Sequence, residues 1–129
     1  ESHIANFQLR MIDRASQAGA AAHAVACAGL FRALSLTSDG NQATADTFAH
    51  KEADAAYVGI LFYQSQTDAS DTDAVAAINE HVGAVSAINL AWFTDNVTTE
   101  GSPLNDQLRD NFTSCDAKLA EWMAIVNGE

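Results

Sequence analysis

The sequence predicts an all-α protein, an up-down-up-down antiparallel four-helix bundle. Three observations carry that expectation. Apolar residues recur at steps of three and four over long stretches, the spacing of one helix face. The 129 residues contain one proline and abundant alanine, which favours long unbroken helices. The breakers fall into three short clusters, at Thr37–Asn41, Gln66–Asp71 and Asp95–Gly101, and short connections between long helices make consecutive helices antiparallel neighbours. A chain of this length fits one domain over 1–129, large enough to bury a core.

The first helix spans about 4–35 and carries two apolar stripes. One holds Leu9, Ile12, Ser16, Ala20, His23, Cys27, Leu30 and Leu34. The other holds Ile4, Phe7, Met11, Ala15, Ala18, Ala22, Val25 and Gly29. A helix with one buried face needs one stripe, so the second asks for a second neighbour. Its small central residues permit close approach. Met11, Ala18, Ala22 and Val25 are therefore expected at a homodimer contact.

The second helix spans about 42–66. Its face is Ala45, Ala49, Ala56, Gly59, Ile60 and Tyr63, flanked by Phe48, Ala55 and Phe62. Val58 and Leu61 lie off that face, so this end is apolar nearly all round. Val58, Leu61 and Phe62 join the expected dimer contact. The third helix, about 71–94, opens with Asp71 and Asp73 at the positive helix end and lines up Val75, Ile78, Val82, Val85, Asn89 and Trp92, with Phe93 beside them.

The fourth helix, about 103–127, has the strongest pattern. Ser102 is a natural N-cap, Pro103 suits the first helical position and Gly128 suits the stop. Leu104, Leu108, Phe112, Cys115, Leu119, Trp122 and Val126 form one seam with Cys115 at its middle. In an up-down bundle the first and last helices touch. Cys27 and Cys115 then lie ~12 and ~18 Å below the same end by helical rise, and a modest stagger joins them in a disulfide. Closing a loop of about 88 residues is worth roughly 4 kcal/mol in the chain-entropy model.

The best candidates for chemistry are polar residues that interrupt apolar faces. His23, Glu52 and His81 lie ~18, ~16 and ~21 Å from one end, on three different helices. A buried carboxylate needs a partner, and imidazole is a good one. A structural His23–Glu52 pair, a small-ligand pocket, and a transition-metal site with His23, Glu52 and His81 as ligands are the three readings.

Composition narrows the function. Seventeen acidic residues stand against six basic ones, a formal charge of −11, which argues against nucleic acid and anionic lipid as partners. No apolar run reaches the ~18 residues of a membrane span. No Glu-x-x-His occurs, which a di-iron carboxylate bundle needs. Haem bundles of the cytochrome c-prime type carry C-x-x-C-H near the chain end, and the segment from Cys115 to Leu119 lacks it. Glycine-rich phosphate loops, G-x-S-x-G and H-E-x-x-H are absent too, so no motif supports an enzyme and no cofactor is expected. The cysteine pair, with Glu1 in place of an initiator Met, points to a periplasmic or secreted protein whose leader is removed. The expectation is a non-catalytic exported binding module, an adaptor, sensor or immunity-type inhibitor acting on a protein partner. The alternative is a metal or small-ligand carrier using the His/Glu level.

Overall fold

The computed structural model describes residues 14–38, 40–100 and 106–128. It contains four helices: α1 (Arg14–Leu36), α2 (Gln42–Gln66), α3 (Asp71–Glu100) and α4 (Asp106–Val126). Every helix and no strand is what the described residues show. None of these helices is long and apolar enough to cross a membrane. Ile4, Phe7, Met11, Ser102 and Pro103 lie outside the described residues, as does the side chain of Ala18.

The ends of the helices are set by local chemistry. At the close of α1, the Thr37 and Ser38 hydroxyls donate to the Ala33 and Leu34 carbonyls (2.9 and 2.7 Å), satisfying acceptors that the helix itself leaves open. Gly40 then takes a left-handed φ of 79°, which a glycine adopts without steric cost. Asn41 caps α2, its side chain accepting the Thr44 N–H at 3.0 Å. Thr67 ends that helix with both its N–H and its hydroxyl on the Tyr63 carbonyl. Ser70 caps α3 by accepting the Asp73 N–H.

The third helix is longer than the sequence suggests. Residues 95–100, expected as a loop, continue α3 to Glu100. Polar residues mislead here because Thr94 and Thr98 return their hydroxyls to the carbonyls four residues back, at 3.1 Å each. Asn96 is also turned into the protein, 9% exposed.

One contiguous core draws on all four helices. From Ala24 to Leu34 nearly every residue of α1 is buried, Ala26 and Arg32 excepted. The neighbours of α1 explain why. Gly59 of α2 faces Ala24 and Val25, Gly29 faces Val85 of α3, and Cys27 bonds to Cys115 of α4. From Ala24 onward, the described residues of both stripes are thus buried inside the chain. The same holds for the end of α2, where Val58, Leu61 and Phe62 are at most 3% exposed. Val25, Val58, Leu61 and Phe62 therefore offer little surface to a second copy, and of the expected dimer residues only Ala22 is shown exposed.

Aromatic rings fill the level between α1, α2 and α4. Phe112 meets Phe31 and Phe48 edge-on, with centroids 6.3 and 5.8 Å apart, and Trp122 meets Phe62 at 6.4 Å. Lys51 pairs with Asp116 and lies 5.6 Å from the Phe112 centroid. In contrast, no Cα of α3 lies within 8 Å of a Cα of α4 among the described residues. Both flank α1, and a gap stays open between them.

A candidate binding cleft over the disulfide

The gap between α3 and α4 forms a cleft of about 350 Å³ with α1 as its floor. His23, Ala26 and Leu30 come from α1. Val85, Ile88, Asn89 and Trp92 come from α3, and Asn111, Ser114 and Cys115 from α4. Helical spacing makes this wall: Val85, Ile88, Asn89 and Trp92 follow one another at steps of three, one and three along α3. Ile88 and Trp92 remain 52% and 49% exposed, so the wall is apolar and open. The amide of Asn89 donates to the Val85 carbonyl at 3.0 Å, which fixes its side chain against its own helix. Beyond Trp92 a smaller hollow of about 230 Å³, lined also by Asp95, Asn96, Gln107 and Leu108, continues the groove along the same gap.

At the cleft floor lies the disulfide. Cys27 and Cys115 are bonded at 2.08 Å, with their Cα atoms 5.4 Å apart. Cys27 is fully buried and Cys115 is 6% exposed. One ring nitrogen of His23 and the two sulfurs lie within 4.8 Å of one another. The His23 ring also stands edge-on to Trp122, centroids 5.3 Å apart. Burial pushes the His23 pKa below the usual imidazole value, and the nearby Lys118 ammonium pushes the same way, both disfavouring the charged ring.

The structure distributes the three polar residues singled out from the sequence. Glu52 gives its carboxylate to Arg32 at 2.9 Å, so its partner is an arginine on α1. His81 is exposed and lines a separate apolar hollow of about 410 Å³ with Ala22, Val25, Tyr63 and Ile78. His23 keeps company with the cysteines. The Arg32–Glu52 pair carries no sequence signal in the turn at 37–41, since Arg32 stands five residues before it and Glu52 eleven after it. The exposure of Trp92 carries none, because its place on the α3 face reads as core.

No protein-family model matches this chain, and no curated protein or solved structure matches it either.

Proposed function

We propose that this protein is a non-catalytic exported binding module whose α3–α4 gap receives the apolar face of a basic amphipathic helix from a protein partner. The carrying observation is the half-exposed Trp92, set beside Ile88 over an apolar floor on a chain of net charge −11. Tryptophan is enriched among the residues that carry binding energy, and an apolar groove is the surface that an amphipathic helix recognises. A partner with lysine and arginine flanking its apolar face would meet Asp95 in the hollow beyond Trp92. An adaptor, a sensor or an inhibitor would each use such a surface.

The scaffold is read as a single up-down-up-down domain. The order of contacts supports this. Cys27–Cys115, His23–Trp122 and Phe31–Phe112 run oppositely along α1 and α4, as Arg32–Glu52 and Val25–Gly59 do along α1 and α2. Along α1 and α3, Val25 and Ile78 both border Gly59 of α2, and further on Gly29 meets Val85, a progression in the same sense. Export is supported by the disulfide, a bond that persists in oxidising compartments.

The test is titration with a basic amphipathic helical peptide, read by calorimetry. Binding that weakens with salt, and that Trp92→Ala weakens at least tenfold while leaving stability within about 0.5 kcal/mol, is the expected result. Equal binding by Trp92→Ala, or equal binding of a peptide with the same apolar face and an acidic rim, would contradict it.

A further inference from the structure

We propose that the disulfide is the closed state of a redox-gated metal site: once it is reduced, Cys27, Cys115 and His23 hold one Zn²⁺, with the cleft supplying an open fourth position. This is independent of the helix-binding reading, because it concerns the floor of the cleft and needs no partner.

The ligand set is already gathered. The ring nitrogen and both sulfurs lie within 4.8 Å of one another. Zinc bond lengths of about 2.3 Å to sulfur and 2.0–2.1 Å to nitrogen place tetrahedral ligands roughly 3.3–3.8 Å apart. Once the bond is broken the sulfurs must move apart, and the imidazole, within 4.8 Å of both, must close by at most about 1.3 Å. Side-chain rotation supplies movements of that size, and the Cα separation of 5.4 Å leaves the sulfurs facing each other. His23 and Cys27 are four residues apart on α1, so they project from one side of the same helix. Cys115 enters from α4, which makes the site a clasp between two helices.

Charge and access also fit. Lys118 lies near His23 but is paired with Glu121 at 3.5 Å, and Zn²⁺ with two thiolates carries no net charge. The cleft reaches both His23 and Cys115, which gives an ion and a water molecule a path in.

The chemistry balances with a dithiol as reductant. It gives up two electrons and two protons and becomes a disulfide, while the Cys27–Cys115 bond becomes two thiols. Zn²⁺ then displaces the two thiol protons to solvent as the Zn–S bonds form. In the oxidised protein the sulfurs have no thiolate to offer, so the site is shut.

The experiment uses the full chain, reduced with a dithiol and freed of it without oxygen, then titrated with Zn²⁺ and with Co²⁺ as a spectroscopic substitute. The expected result is one ion per chain in the reduced protein and none at this site in the oxidised one. The Co²⁺ complex should show thiolate charge-transfer bands and tetrahedral visible bands. His23→Phe keeps a ring against Trp122 and removes the nitrogen; it should weaken binding at least about tenfold and alter the Co²⁺ spectrum. Thermal melting of oxidised His23→Phe checks that the variant folds. Should reduction unfold the chain, helical circular dichroism decides: recovery on adding one equivalent of Zn²⁺ supports the site, and no recovery overturns it. Equal binding by oxidised and reduced protein overturns it, as does unchanged affinity in reduced His23→Phe.

Discussion

At Gly29 the α1 and α3 backbones come so close that a single methyl group decides the packing. A Cβ there would fall 2.4 Å from Val85 Cγ1 and 3.0 Å from the Ser86 backbone nitrogen. The backbone cannot yield as a side-chain tip can, so Gly29→Ala should cost about 1–3 kcal/mol in denaturant unfolding. Gly83, also helical, meets only the tip of Arg32 at 3.5 Å. Gly83→Ala should therefore stabilise by about 0.5–1 kcal/mol, and the opposite signs make the pair a sharp test. His23 supplies a second prediction. Its folded pKa is depressed below 6.5 by burial and by Lys118, so its stabilisation is fully present above pH 6.5. That contribution is lost as pH falls through 6.5 toward the lowered value, because the unfolded chain takes up the proton first. Urea midpoints measured between about pH 7 and pH 5 should fall more steeply for the native protein than for His23→Phe.

Helix by helix, periodicity reveals more than polarity does. The seam of α4 is visible as spacing alone, and Leu108, Cys115, Leu119 and Trp122 are the residues it buries. The cysteine pair follows from the same logic, since two seam positions on touching helices, ~12 and ~18 Å from one end, need only a modest stagger to meet. Polarity misleads where threonines satisfy themselves along their own helix, which is how residues 95–100 extend α3. Stripes are ambiguous in another way. A stripe says that a neighbour exists but not whose it is, and Val58, Leu61 and Phe62 find theirs inside the chain. Of the candidate site, His23 beside Cys27 is legible as a step of four. Glu52 is not, because a long arginine from α1 reaches it first. The cross-link between α1 and α4 has its own expected outcome. Cys27→Ser with Cys115→Ser should lower stability by about 2–5 kcal/mol and raise the denaturant slope, since the unfolded chain is no longer closed over 88 residues.

Across the whole molecule, the decisive feature is that the helices do not enclose one another equally. α1 is wrapped on several sides while α3 and α4 stand apart, and the space between them is walled by side chains that water reaches. Sequence patterns report which residues turn inward, but a gap between two helices is a property of how far apart their axes settle. On the proposed reading, the net charge of −11 and the apolar groove suit a basic amphipathic helix, with the disulfide at the floor beneath it. The fluorescence of Trp92 in a Trp122→Phe background tests this arrangement most directly. In the free protein its emission should be red-shifted and readily quenched by acrylamide, and a basic amphipathic helix should shift it to the blue and shield it. Emission that is already blue and shielded without any peptide, or that stays fully quenchable when the peptide is saturating, would contradict an open cleft that receives a helix.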